Sequence, residues 1–399
     1  MNVLAGMYDF YKSRSGNFWL FESSIWLHLF ASSFVAVFIP VFLYNEGFSL
    51  SSIFLYYLIL HTVNIPFNII AGNLTGKIGS RNVVIIATII FLFFFISFSF
   101  LQPGNWVIFL LMSFLAAVYD AFYYVSSLNI FMESNKDPEN SGKNTGILNI
   151  VVSMAYLLGP LAGSAIILLS ENENLVLYAA TFFLFLSILP LFKIRDENII
   201  HENKIMSLRD FFKSDREKKN HFSLMFYKIG EGIEYIIFPL YLFIIIGTLE
   251  SVALLAVMIP VFSFFFTYLS GNIKRENRRF YIQLGSLLIA LVWVSRIFFD
   301  GNHALYIGSI LMSLLIIFVR VPIDSNIFRT GNEDMHSLSS SVYKNISGMF
   351  AKGLSFGILF LISILSEENI FIYAFLISAL SALGVIFVNR YYWKKIESS

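Results

Sequence analysis

Asp120 stands in the run "AAVYDAFYYVSS", a carboxylate among apolar and aromatic residues with no basic side chain within a helical turn. An acid so placed can exchange a proton or meet a cationic group, and it is the strongest single candidate for chemistry in the chain. Lys228, Glu231 and Glu234 follow one another at three-residue steps, and Arg320 stands four residues before Asp324. Opposite charges at these spacings share a helix face, so they either neutralise each other or present charge to a ligand. Arg296 and Asp300 have the same spacing near the end of an apolar run and read as a structural pair. His28, His61, Lys344, Lys352 and Glu22 interrupt other apolar runs. The histidines read either as packing residues or as proton carriers, and no close pair such as H-x3-H supports a metal site. The substrate or coupling candidates are Asp120, Glu231, Glu234, His28, Arg320, Asp324, Lys228 and Lys352, with Tyr123 and Tyr124 beside the acid. No cofactor, resident metal or catalytic residue is expected.

These groups interrupt a chain that is otherwise oil-like. Of 399 residues, 57% are hydrophobic and 13% charged, against about a quarter charged in soluble domains. Apolar runs of about 20 residues cross ~30 Å of hydrocarbon. Twelve are expected, at roughly 18–43, 50–72, 83–101, 105–132, 145–169, 174–193, 221–246, 250–270, 281–299, 304–328, 340–365 and 369–389. The first is too long for a signal-peptide core and no small-residue cleavage site closes it, so it is read as a span. A group ionised at bilayer depth costs at least ~2.5–3.5 kcal/mol, which makes each interruption a functional candidate. Glu22 and Lys344 are expected within two turns of one face, where they could snorkel. The absence of cysteine excludes disulfides and thiolate chemistry.

Lysine and arginine fall almost wholly in alternate loops, among them Lys77 and Arg81, the cluster from Lys193 to Lys219, "KRENRR" at 274–279 and "RYYWKK" at 390–395. By the positive-inside rule both termini are cytoplasmic in the inner membrane. A net charge of +1 spread over those loops gives no footing for nucleic acid. The expected partners are lipid, a small-molecule substrate and protons, with a monomer as the working unit.

One hydrophilic stretch, "RDENIIHENKIMSLRDFFKSDREKKN", divides the spans six and six. The expected units are 1–194, a linker at 195–220 holding a short amphipathic helix capped by Ser207, and 221–399. The halves echo each other at an offset near 200: "LMS" at 111 and 311, "NIF" at 129 and 326, "GNL" at 72 against "GNI" at 271, and Pro40 against Pro239. At that offset Arg320 is the counterpart of Asp120, and the two could face each other across a cavity.

The stretch "GNLTGKIGSR" at 72–81 is not a Walker loop, since Ile78 follows the lysine. It resembles the loop between helices 2 and 3 of the major facilitator superfamily, G-x-L-x-D-[RK]-x-G-[RK]-[RK]. Gly72, Leu74, Lys77, Gly79 and Arg81 match, while Gly76 replaces the aspartate and Ser80 a basic residue. The resemblance implies a latch between two halves, with Glu133 the candidate for the missing acid. Gly146, Ala155, Gly159, Pro160, Gly163 and Ser164 similarly resemble the superfamily's antiporter motif on helix 5. The R-x-x-Q-G signature of its drug/proton antiporters is missing from span 4.

The resemblance implies an all-α polytopic membrane protein, twelve transmembrane helices in two pseudo-symmetric six-helix bundles. In that family helices 1, 4, 7 and 10 line a central cavity. The implied function is secondary active transport by alternating access, read here as proton-coupled export of a small organic or amphipathic compound. Trp19, Trp26, Tyr123, Tyr124, Tyr227 and Tyr235 would suit a cationic ligand. A metal-ion or nutrient carrier of the same fold is the alternative, and a scaffold or receptor a weaker one. Intramembrane enzyme motifs are absent, so no enzyme is expected.

Overall fold

The computed structural model describes residues 16–35, 38–134, 141–170, 173–194, 205–248, 251–263 (except 253, 256 and 260), 277–299, 301–333 and 336–397. Among them all regular structure is helical, and nine helices are long and apolar enough to cross a membrane. In chain order the helices are α1 (Gly16–Ser33), α2 (Ile39–Asn45), α3 (Leu50–Ile78), α4 (Ser80–Phe98), α5 (Trp106–Ser134), α6 (Ser141–Ser170), α7 (Glu173–Leu186) and α8 (Ile188–Lys193). They continue as α9 (Leu208–Phe211), α10 (Asp215–Gly232), α11 (Phe238–Ile246), α12 (Arg278–Phe298), α13 (Asn302–Glu333), α14 (Ser337–Leu365) and α15 (Ile370–Glu397).

The nine differ from the expected twelve for local reasons. The first span breaks after Ser33 and restarts as α2. The fifth is described as apolar only over Ile147–Gly163. The eighth, 250–270, is described only in part. The two prolines matched by the repeat lie at equivalent places. Pro40 and Pro239 each sit in the first turn of a restarted helix, where a missing N–H costs nothing. Ahead of Pro239 the chain relaxes into a π-helical turn, Ile233–Ile237, that joins α10 to α11.

The packing repeats as well. Helix α1 packs on α6 and α7, and α10 packs on α14 and α15. Likewise α4 lies against α5 as α12 lies against α13. The faces of α4, α7 and α15 that carry Phe93, Phe182 and Leu380 are exposed, as lipid contact requires.

Between the two sets of helices, α3 runs antiparallel along α14. Tyr57 meets Phe356 with ring centroids 5.2 Å apart, His61 Nδ1 lies 3.2 Å from Met349 Sδ, and Asn345 donates to Asn68 at 2.8 Å. Further toward the basic loops, Gly72 lies so close to Val342 that a Cβ there would stand 2.5 Å from Val342 Cγ2. Phe131 of α5 packs on Phe328 of α13 at 5.2 Å. The two sets are therefore closed on the side of the basic loops.

The linker follows its sequence. Ser207 caps α9 by accepting from the Asp210 N–H at 3.2 Å. The linker is tied to α14 by Tyr343 Oη donating to the Met206 carbonyl at 2.6 Å and by Met206 N–H donating to Ser339 Oγ at 3.1 Å.

Candidate functional site

Two groups of charge stand at bilayer depth on the α10–α15 side. Helix α10 supplies Lys228 and Glu231, a turn apart on one face. Helix α13 carries Arg320 and Asp324 on either side of Pro322, which removes a backbone donor between them. Helix α14 brings Lys344 and Lys352. At 1.5 Å per residue, Lys228 stands about 20 Å from the Asp215 end of its helix, and Arg320 about as far from the Glu333 end of its own. The two therefore share a depth.

Lys228 Nζ lies 2.5 Å from Glu231 Oε2, and Lys352 Nζ reaches the same oxygen at 3.3 Å. Tyr227 Oη donates to Glu231 Oε1 at 3.2 Å. Asp324 takes Lys344 Nζ at 3.2 Å on one oxygen, with Arg320 Nε at 3.6 Å from the other. The cations are the more open members: the Arg320 and Lys228 side chains are 29% and 22% exposed, against 9% and 6% for their acids. The i,i+3 and i,i+4 pairs read from sequence thus exist, but each carboxylate is shared with a lysine from α14.

Asp120 meets different chemistry. Its Oδ2 accepts from Asn64 Nδ2 at 2.8 Å and from Asn345 Nδ2 at 3.4 Å. Asn345 also donates to Asn68 Oδ1, and Asn68 donates to Asn64 Oδ1 at 2.5 Å. An acid and three amides therefore form a chain of hydrogen bonds from α3 and α5 to α14. Sequence reasoning missed the three asparagines. The usable signal was Asn64 and Asn68, two amides four residues apart in an apolar run. The expected pairing of Asp120 with Arg320 is not what the structure draws: Arg320 pairs with Asp324 on its own helix.

Several candidates lie elsewhere. Glu234 falls in the π-helical turn and points inward, where Arg296 of α12 grips it with two hydrogen bonds of 2.5 and 3.1 Å. Both side chains are 1% exposed, and the guanidinium lies over Phe238 and Trp293. Arg296 is structural as expected, but with Glu234 as partner; Asp300 lies outside the described residues. His28 is enclosed: Nε2 lies 2.5 Å from Tyr119 Oη and the ring stacks on Tyr123 at 3.8 Å. Tyr123 is thereby withdrawn into the packing of α1 and α5, while Tyr124 stays half-buried. Glu22 is 3% exposed, and among the described residues its carboxylate makes no hydrogen bond, so it does not snorkel. Among the described residues no three His, Asp or Glu side chains converge as a metal site.

The glycine-rich turn is held by one glycine conformation and by hydrogen bonds to its neighbours. Only Gly79 adopts positive φ, +85°, between α3 and α4, whereas Gly72 and Gly76 are helical. Lys77 is exposed, and Arg81 Nη1 donates to the Ile194 carbonyl at 3.0 Å instead of reaching headgroups. Thr75 and Ser126 hydroxyls lie 2.8 Å apart, and Asn129 donates to Ser80 Oγ at 2.9 Å. Two of the bonds that tie the turn to α5 are therefore neutral, and one of them is made by Ser80, where the family motif has a basic residue. Gly146 lies within α6, and the Glu133 side chain is not among those described. On α6, beside Pro160, Gly159 allows contact with α1: a Cβ there would lie 2.8 Å from the Phe30 carbonyl, and one at Gly163 3.3 Å from that of Phe34. The small residues thus serve close helix packing.

A search of curated protein sequences found no match. Solved structures share the fold. The human organic anion transporter MFSD10 (TETRAN) aligns with a TM-score of 0.71 at 12% identity, over 94% of this chain and 100% of that one. A bacterial homologue of the iron transporter ferroportin, in an outward-facing state, aligns at 0.71 and 14%, over 95% and 100%. The transporter FucP, in its outward conformation, aligns at 0.67 and 13%, over 94% and 98%. At these identities the likeness is one of fold. The family model for the Major Facilitator Superfamily matches residues 23–351. This multi-pass membrane protein belongs to the Major Facilitator Superfamily.

Proposed function

We propose that the chain is a secondary transporter of the inner membrane that moves a small organic molecule by alternating access, coupled to protons and directed outward. Its units are bundles 1–194 and 221–399 joined by the linker at 195–220, with both termini in the cytoplasm. The observation that carries this is the placement of charge. The partly open cations Lys228 and Arg320 lie at one bilayer depth with their acids about a turn to either side, while the contacts between bundles close the cytoplasmic end below them. A scaffold has no need of charge at that depth, where it is costly.

Asp120 is the proposed coupling group. Its carboxylate accepts from Asn64 and, across the bundle interface, from Asn345. Protonation removes acceptor capacity and loosens that link, so proton binding and bundle separation share one set of bonds. The outward-facing states of the FucP and ferroportin-homologue structures support reading a cytoplasmically closed arrangement as one half of a cycle. The antiporter-like run on α6 supports the outward direction.

The natural absence of cysteine makes the test direct. Met132, 1% exposed beneath the α5–α13 contact, is replaced by cysteine and probed in vesicles with an impermeant maleimide. Alternating access predicts labelling from the cytoplasmic side that rises when the bundles part and falls when Phe131→Cys and Phe328→Cys are cross-linked. Labelling unchanged under every condition of pH and cross-linking would refute it.

A further inference from the structure

The charges of the two clusters do not balance. Lys228 and Lys352 share one carboxylate, Glu231. Arg320 and Lys344 share one, Asp324. Each cluster therefore holds two formal positive charges against one negative. The clusters belong to one field, since Lys228 lies within electrostatic reach of Lys352, Arg320 and Lys344. Asp120 is the third acid in reach, and amides hold it. Counting it ionised, four cations face three carboxylates, a surplus of one; with Asp120 protonated the surplus is two.

Uncompensated charge at this depth is costly, and a counter-charge brought by a ligand relieves that cost. The cations are also the groups offered. The Arg320 side chain is 29% exposed, and its buried Nε, 3.6 Å from Asp324, is beyond hydrogen-bonding range, so the acid does not saturate the guanidinium. A guanidinium with free donors is the side chain best matched to a planar or tetrahedral oxyanion. Tyr235, 36% exposed, lies within electrostatic reach of Arg320 and offers a ring face for an apolar body.

We infer that this charged site takes an organic anion, a carboxylate or other oxyanion carried on an aromatic or apolar body, its acidic head met by Arg320 and the shared lysines. The inference rests on the transporter reading and reverses the cationic preference that the aromatic content alone suggests.

The test measures thermal stabilisation of the full chain in lipid nanodiscs by naphthoate, phenyl phosphate, naphthamide and naphthylmethylammonium. The two anions should stabilise, and the neutral and cationic analogues should not. Lys352→Gln and Lys344→Gln should each weaken naphthoate by roughly tenfold, the lower end for one charge-assisted hydrogen bond. Each leaves a balanced pair behind, so the ligand-free variants should melt at or above the wild type. A structural role for these lysines would lower that melting temperature instead. Stabilisation by the ammonium analogue, or none by either anion at millimolar concentration, overturns the inference. So do lysine variants that melt lower yet bind naphthoate normally. The Met132→Cys labelling needs no ligand and judges alternating access separately. Exchange without anion binding sinks only this inference, and anion binding without exchange sinks the transport reading.

Discussion

Glu234 and Arg296 give the sharpest separation of structure from function. The pair is 1% exposed on both sides, doubly hydrogen-bonded, and roofed by Phe238 at 3.7 Å and Trp293 at 4.6 Å from the guanidinium carbon. Breaking such a pair from one side leaves a buried charge and costs about 3–5 kcal/mol. Glu234→Gln should fall at the lower end of that range, because the aromatic faces and Ser309 at 3.3 Å still engage the guanidinium. Arg296→Met should fall at the upper end, since it strands the carboxylate. Replacing both, Glu234→Met with Arg296→Met, should come back to within about 2 kcal/mol of wild type, because a packed apolar pair avoids the desolvation that the ions suffer. Thermal unfolding of the four proteins in one detergent supplies the ranking, and uptake into proteoliposomes supplies activity. The reasoning is refuted if Glu234→Gln melts like wild type yet abolishes transport, or if the double variant is no better than the worse single one.

Other perturbations have equally definite outcomes. Asn345→Leu removes both amide bonds across the bundle interface, and labelling of Met132→Cys from the cytoplasmic side should accelerate several-fold. Tyr343→Phe deletes the bond to the Met206 carbonyl, worth about 1 kcal/mol, and protease cleavage within 205–211 should quicken while the melting temperature barely moves. Gly159→Val sets a branched Cβ 2.8 Å from the Phe30 carbonyl, a backbone atom that cannot turn aside. The monodisperse yield of that variant should collapse, whereas Gly163→Ala, with 3.3 Å to the nearest oxygen, should purify normally.

The helices were legible because a bilayer demands long apolar runs, and the repeat was legible through Pro40 and Pro239, which restart helices in both halves. Ser207 was legible because capping is local. The partners of the buried charges were not. Arg296 and Asp300 satisfy a spacing rule that holds on one helix, but the contact of Arg296 with Glu234 joins α12 to a π-helical turn that no short-range pattern announces. His28 looked like any membrane histidine until Tyr119 and Tyr123 of α5 and Phe91 of α4 closed around it, a packing fact set by three helices. Asn64, Asn68 and Asn345 escaped because the search followed ionisable groups and an amide carries no charge, yet in lipid amides must find partners.

The two bundles divide the work unevenly. At the interface and in the glycine-rich turn, α3 and α5 use neutral groups: Thr75 with Ser126, Asn129 with Ser80, and amides around Asp120. The cations and the acids they share belong to α10, α13 and α14. Neutral hydrogen bonds exchange partners with little change in solvation energy, so a surface that must open and reclose is better held by them than by buried ion pairs. Fixed charge, by contrast, is suited to a site that must attract a ligand and release it when its field changes. Asp120 is the one ionisable group that belongs to both sets, bonded to the amides and within reach of the cations. Whether it holds a proton therefore changes the strength of the interface and the surplus charge of the charged site together, which is the linkage that a coupled carrier needs.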